Sequence, residues 1–83
     1  MIRFKELLPS ICGEQRVIIY SYDDGKDMSY TTVFDGAIKN ILLRAEEDPF
    51  VADIFDRYVS RISCKHSVLI IYTGKKVKDD EVR

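Results

Sequence analysis

Two segments of this chain carry apolar residues on both faces of a strand, and this pattern limits the folds that the chain can adopt. Residues 16–22 read Arg-Val-Ile-Ile-Tyr-Ser-Tyr, and residues 67–73 read Ser-Val-Leu-Ile-Ile-Tyr-Thr. Short runs of β-branched and aromatic residues are typical of strands. A strand with one wet face alternates apolar and polar residues, whereas these two do not. Both faces of each strand therefore need cover, either from the chain's own helices or from a partner.

Each of the two runs belongs to a predicted β-hairpin. Residues 28–34 are rich in Tyr, Thr, Val and Phe, and Asp-Asp-Gly-Lys at 23–26 supplies a tight turn between them and the first run. Residues 59–64 return to a period of two. Lys65 and His66 then turn the chain into the second run. The two hairpins are expected to be antiparallel.

Three helices are predicted around these strands. Residues 2–8 place apolar side chains at helical spacing. A second helix begins at Ala37, with Asp35 as its N-cap. Asp48 and Pro49 begin a third, because an Asp cap followed by Pro is typical of a first helical turn. The apolar stripe of this helix consists of Phe50, Val51, Ile54, Phe55 and Tyr58. Arg57 lies near the predicted C-terminus of the helix, where a cation is favourable.

The predicted fold is α+β, with a small four-stranded antiparallel sheet made of the two hairpins. Two helices lie between the hairpins, and a short N-terminal helix precedes them. The chain has 83 residues, so we expect a single domain over residues 1–83. Gly74 ends the last strand, and residues 74–83 form a charged tail that we expect to be mobile.

In a chain of this length, the helices can cover only one face of the sheet. Unless the N-terminal helix packs on the second face, a stripe of tyrosines is left exposed there. Tyr combines a large apolar area with a polar tip and is enriched in binding interfaces. We therefore predict a non-enzymatic protein-binding module, with either a host protein or a second copy of the chain as partner. The predicted contact residues are Tyr20, Tyr22, Tyr30 and Tyr72.

The charge balance argues against a general nucleic-acid binder. Thirteen basic and fourteen acidic residues give a formal net charge of −1, whereas binding to phosphate needs a surplus of cations. A local basic edge keeps a nucleic-acid or nucleotide-binding accessory protein as the alternative, and a solvated rim is the simpler interpretation of the same residues. The residues of this edge are Arg57, Arg61, Lys65, Lys75, Lys76 and Lys78.

The chain lacks the motifs that catalysis or metal binding needs. Cys64 and His66 share a strand face but have no third orienting group, and they supply only two of the four ligands of a structural zinc site. Cys12 lies far from Cys64 in sequence, so we expect two free thiols. Residues 23–27 lack the closing Glu of a calcium loop, and Gly74 lacks the upstream glycine of a phosphate loop. We predict no enzyme, no cofactor and no metal.

The N-terminal sequence and the longest apolar run argue against a membrane protein. Residues 1–8 are charged and interrupted by Glu6, unlike a signal peptide. Residues 68–72 form the longest apolar run, far shorter than the roughly 20 residues of a membrane helix. We expect a cytoplasmic protein with no membrane contact.

One further pattern extends over most of the chain. It consists of Phe-Lys-Glu-Leu-Leu-Pro at 4–9, Arg-Val-Ile-Ile-Tyr at 16–20, Phe-Asp-Gly at 34–36, Val59 with Ile62, and Val-Leu-Ile-Ile at 68–71. In these positions the chain resembles small proteins carried by phages and mobile elements of Gram-positive bacteria. The resemblance spans residues 1–73 and brings no catalytic residue, and the helix at 49–58 and the charged tail depart from the pattern. It implies an accessory protein that binds and modulates a host protein, including inhibition of host defence.

Overall fold

The computed structural model describes residues 2–23 and 29–76, and these confirm the predicted α+β class. Most of the predicted turn at 23–26, Met28 and residues 77–83 lie outside the described residues. In chain order the elements are α1 (Phe4–Leu7), a 3-10 turn (Leu8–Ser10), β1 (Arg16–Asp23), β2 (Ser29–Ala37), a 3-10 turn (Ile38–Asn40), α2 (Ile41–Glu47), α3 (Pro49–Ile54), β3 (Arg57–Lys65) and β4 (Val68–Lys76).

The sheet is mixed, with strand order β2-β1-β4-β3. The pairs β1–β2 and β3–β4 are antiparallel, which confirms both hairpins, but β1 and β4 run parallel. The prediction of a wholly antiparallel sheet is therefore wrong. The reason is the path of the helical segment 38–54, which carries the chain from one end of β2 to the opposite end of the sheet. As a result, the two edge strands β2 and β3 run in the same direction.

The two strands without alternation, β1 and β4, are the central strands of the sheet. Val17 and Ile19 of β1 and Ile71 of β4 are fully buried on one face. The helices contribute Phe4, Ile38, Ile41, Val51 and Ile54 to the same core cluster, which also contains Phe34 of β2. Since Phe4 belongs to this cluster, α1 packs on the same side as α2 and α3. The alternative in which the N-terminal helix covers the second face is therefore wrong.

Asp35 does not cap a helix, because it lies inside β2. Its carboxylate accepts hydrogen bonds from the Arg16 guanidinium of β1 at 3.1, 3.1 and 3.3 Å. The strand continues to Ala37, and the chain then enters a 3-10 turn rather than an α-helix. The cross-strand ion pair gives Asp35 a role that its position before Gly36 did not suggest.

The third helix starts as predicted but ends earlier. The Asp48 carboxylate accepts a hydrogen bond from the Phe50 backbone N–H at 2.9 Å, which confirms the cap. The helix ends at Ile54, and both Arg57 and Tyr58 belong to β3, so the predicted position of Arg57 at the end of a helix is wrong. None of the described helices is long and apolar enough to span a lipid bilayer.

The second hairpin turns one residue later than predicted. His66 and Ser67 both have positive φ, 53° and 64°, as the two central residues of a tight hairpin turn of type I′ require. Gly74 does not end β4, since the strand continues to Lys76. The boundary predicted at residue 74 is therefore wrong, because the end of β4 pairs with the start of β3, where Arg57 lies opposite Lys76.

Candidate protein interface on the second face of the sheet

The sheet has a second face, opposite the core, on which no described helix packs. Alternation along each strand sends every other side chain to this side, and the register shows which side chains are neighbours there. We call this surface the open face. Its described residues are Arg16, Ile18, Tyr20 and Tyr22 of β1, Tyr30, Thr32 and Asp35 of β2, Arg61, Ser63 and Lys65 of β3, and Val68, Ile70 and Tyr72 of β4.

The four tyrosines predicted as contact residues lie together on the open face, and we call them the tyrosine cluster. Tyr20 and Tyr72 are register partners and stack, with ring centroids 5.1 Å apart and planes 21° apart. The Tyr30 ring meets the Tyr72 ring edge to face at 5.1 Å and the Tyr22 ring at 5.4 Å. Edge-to-face and offset arrangements are the favoured geometries of aromatic pairs. The four rings therefore form one continuous aromatic surface.

A bulge in β2 brings Tyr30 into this cluster. Ile19 lies opposite Phe34, but Tyr20 lies opposite Thr32, so Val33 is an extra residue in β2. The extra residue lets Phe34 point into the core while Tyr30 points to the open face. Regular alternation along residues 28–34 predicts that Tyr30 and Phe34, four residues apart, share one face, and the bulge shows that this prediction is wrong.

The contacts among the tyrosine rings leave the cluster partly exposed. Tyr30 is 44% exposed, whereas Tyr20, Tyr22 and Tyr72 are half-buried. Tyr72 lies between Tyr20 on β1 and Arg61 on β3. The Arg61 guanidinium is 4.3 Å from the centroid of the Tyr72 ring, a cation–π contact. Both sides of the Tyr72 ring are therefore occupied.

The open face is positively charged where it meets β3. Neither Arg61 nor Lys65 has an ion-pair partner among the described side chains, and both are exposed. The register also assigns the carboxylate of Asp35 to this face, where it is paired with Arg16 on strands β1 and β2, away from β3. The described part of this face thus carries three cations and one carboxylate, although the whole chain has a formal charge of −1.

The described side chains of the predicted basic edge do not lie together. Arg61 and Lys65 join the open face beside the tyrosine cluster. Arg57 is occupied elsewhere, because its guanidinium donates to the Asp53 carboxylate at 2.8 and 3.0 Å and to the backbone carbonyls of Tyr22 and Gly74 at 3.1 Å each. The side chains of Lys75 and Lys76, and all of Lys78, lie outside the described part of the chain.

A cleft of about 430 Å³ lies between the β1–β2 hairpin and the start of α3. Ser21, Thr31, Phe50, Arg57 and the cap residue Asp48 line it, and it borders the open face at Tyr22 and Thr32. Cys12 and Cys64 are free and exposed, and the described residues contain no group of three ligands placed to hold a metal.

The contact between Arg61 and the tyrosine cluster was missed by the sequence analysis. The sequence analysis placed Arg61 in the basic edge because of its charge, and a period of two put Val59 and Arg61 on the same side of the strand. In the structure, Val59 lies opposite Thr73 and Arg61 opposite Tyr72, so Ser60 is an extra residue. This irregularity turns Val59 toward the core and Arg61 toward the open face. No feature of the local sequence indicates it.

Comparison with known proteins gives no match to a family model, to a curated protein or to a solved structure. The functional conclusion therefore depends on the geometry of the open face.

Proposed function

We propose that this chain is a non-enzymatic protein-binding module whose contact surface is the open face. The observation that carries the proposal is the tyrosine cluster, in which four rings touch one another on a sheet face without a described helix. Exposed apolar patches of more than a few hundred Å² are typical of contact sites. Tyr is also among the residues that contribute most to binding energy at interfaces. Docking of a protein on this face would remove the aromatic surface from water.

The ring arrangement favours a protein over a nucleic acid. Single-stranded nucleic acids bind sheet surfaces by stacking their bases on free aromatic faces. Tyr20 and Arg61 occupy the two sides of the Tyr72 ring. The Tyr72 ring therefore has no free face for a base, and the hydroxyl groups of the cluster suit the hydrogen-bonding groups of a protein surface.

Binding of single-stranded nucleic acid is the second candidate, favoured by the position of Arg61 and Lys65 beside the aromatic rings. It predicts binding of an oligonucleotide that weakens steeply as salt increases. The first proposal predicts no such binding at 0.15 M salt. Fluorescence anisotropy with a labelled single-stranded oligonucleotide separates the two.

The size of the open face suits a small or transient contact. Four strands side by side make the face about 19 Å wide, and a paired length of about seven residues makes it about 24 Å long. The flat area of the open face is therefore about 450 Å². A standard interface takes about 800 Å² from each partner. Contacts at the edges of the sheet would enlarge the interface toward that value.

We propose a host protein as the partner, as the sequence-based expectation of a phage or mobile-element accessory protein implies. Binding would then modulate that protein, as inhibitors of host defence do. Self-association into a homodimer is the other form of the proposal, and it would bring two positively charged open faces together. That repulsion favours the foreign partner.

Affinity capture with two matched variants tests the proposal. The Tyr20→Ser/Tyr22→Ser variant removes half of the tyrosine cluster. The Leu42→Ser/Leu43→Ser variant removes two apolar side chains of α2 that are 62% and 64% exposed on the helical side. We expect a protein captured by the wild-type chain to be lost with the tyrosine variant and kept with the leucine variant. Loss with the leucine variant alone would contradict the proposal. Circular dichroism establishes that each variant is folded.

A further inference from the structure

The outer edge of β3 is a free strand edge next to the open face. Its start is covered, because Arg3 forms an antiparallel bridge with Tyr58 and the Val59 backbone N–H donates to the Ile2 carbonyl at 2.9 Å. From residue 60 to residue 65, no described residue pairs with the outer side of the strand. All six residues are exposed, over a length of about 20 Å. Unpaired backbone groups of this kind accept an additional strand.

The side chains along this edge alternate in character. Arg61 and Lys65 project to the open face on either side of Ser63, and the strand rise separates the two cations by about 13 Å. Ile62, which is 47% exposed, and Cys64 project to the other face. The edge therefore presents a cation, an apolar side chain, a hydroxyl, a thiol and a second cation in succession.

Arg61 is held in a position suited to carboxylate binding. The Tyr72 ring supports its guanidinium, and no described group accepts a hydrogen bond from it. A guanidinium held against an aromatic ring keeps its N–H groups in a fixed fork, which matches the two oxygens of a carboxylate. Less side-chain entropy is then lost when the carboxylate binds.

We propose that the β3 edge binds an extended acidic segment of the partner protein as a fifth strand. Acidic side chains at positions i and i+4 of this segment lie opposite Arg61 and Lys65, and an apolar side chain between them packs near Ile62. The inference rests on the proposed function, since the added strand enlarges the same interface. It names the chemistry of the partner, which is a strand-forming protein segment with two carboxylates.

The other strand edge and a second copy of the chain suit this role less well. The other edge strand is β2, and the bulge at Val33 makes its backbone irregular. The charged pair on β2 and β1, Asp35 with Arg16, is already formed and leaves no unpaired cation among the described side chains there for an acidic segment. When two β3 edges pair antiparallel about Ser63, Arg61 of one copy lies opposite Lys65 of the other. Like charges directly opposite each other destabilise a strand pair.

Selection from a phage-displayed library of random nine-residue peptides, with the full chain as bait, tests the inference. We expect enrichment of peptides with acidic residues four positions apart and an apolar residue between them. Amide chemical shifts of the labelled chain should change along residues 60–65 when such a peptide is added. With the Arg61→Glu/Lys65→Glu variant, the affinity of that peptide should fall about tenfold or more, since an exposed ion pair contributes up to about fivefold.

The matched control is the Lys5→Glu/Lys39→Glu variant, which changes the net charge equally on the helical side and should leave the affinity unchanged. Enriched peptides without acidic residues, no enrichment at all, or equal loss of affinity in both variants would overturn the inference. Shifts confined to β2 would also overturn it. The two proposals can fail separately. If affinity capture loses its protein when Tyr20 and Tyr22 are replaced, but the selected peptides show no preference for acidic residues, the proposed function stands and only strand addition is wrong.

Discussion

The guanidinium of Arg61 lies over the ring of Tyr72, 4.3 Å from the ring centroid. This contact joins two features that the sequence places in different surfaces, the basic residues of β3 and the tyrosines of β1, β2 and β4. The open face is consequently both aromatic and cationic. Its partner should present apolar and acidic groups together.

A double-mutant cycle measures this contact directly. Arg61→Ala and Tyr72→Leu, singly and together, should give a coupling energy of about 0.5–1 kcal/mol in the free energy of unfolding, as expected for an exposed cation–π pair. Arg3 and Tyr58 form a longer contact, at 5.9 Å, and serve as the control pair, with a smaller coupling expected. Coupling near zero at Arg61 and Tyr72 would contradict the geometry described. Urea unfolding of the four proteins supplies the data.

Neighbouring isoleucines of β4 test whether the helices cover only one face. Ile71 is fully buried and Ile70 is half-buried on the open face. Ile71→Ala should lower the free energy of unfolding by about 3 kcal/mol, because it leaves a cavity in the core. Ile70→Ala should cost about 1 kcal/mol, since little cavity forms at a surface. Equal losses in denaturant titrations would show that both faces are covered.

Arg57 connects three parts of the fold, and its removal should destabilise the chain. Its guanidinium links Asp53 of α3 to the carbonyls of Tyr22 and Gly74, and its side chain is only 18% exposed. Arg57→Met should cost about 2 kcal/mol, because the carbonyl groups lose a charged donor in a partly buried place.

Arg16 is the control for Arg57, because it forms an ion pair that is exposed. The Arg16 side chain is 61% exposed and that of its partner Asp35 is 47% exposed. Exposed ion pairs contribute about 0–1 kcal/mol, so Arg16→Met should have a small effect on the midpoint of unfolding. A larger loss from Arg16→Met than from Arg57→Met would reverse the assignment of these two arginines.

The turn between β3 and β4 can be improved. His66 and Ser67 adopt positive φ, which costs a residue with a side chain about 1 kcal/mol more than it costs Gly. Replacement by Asn-Gly, His66→Asn/Ser67→Gly, supplies the preferred residues of a type I′ turn. We expect the free energy of unfolding to rise by about 1 kcal/mol. A decrease measured by thermal or urea unfolding would mean that the turn has another conformation.

Much of the local structure could be predicted from the sequence, because it depends on neighbouring residues. Both hairpins follow from their β-branched runs and turn residues, and the cap at Asp48 follows from the Asp-Pro pair. The apolar character of both faces of β1 and β4 indicates central strands, and the structure places them there. The tyrosine cluster is also foreseeable as a group, since three of its members lie on those two strands.

The errors arise where the fold depends on distant contacts. Regular alternation placed Tyr30 beside Phe34, but the extra residue Val33 separates them, and only pairing with β1 shows that bulge. The parallel pairing of β1 and β4 depends on the end of the sheet at which the helical segment delivers the chain. The hydrophobic period of a helix carries no information on that choice. Arg57 was misplaced for a similar reason, since two of the groups that hold it are carbonyls far away in sequence.

Site-specific photo-crosslinking in the cell identifies which side of the sheet contacts a partner protein. p-Benzoylphenylalanine replaces either Tyr30, which is 44% exposed on the open face, or Phe50, which is 74% exposed on α3. Both changes keep an aromatic side chain at an exposed position. If the open face binds a protein, position 30 gives a discrete protein adduct and position 50 gives none. An adduct from position 50 alone, or an adduct of nucleic acid from position 30, would contradict the proposed function.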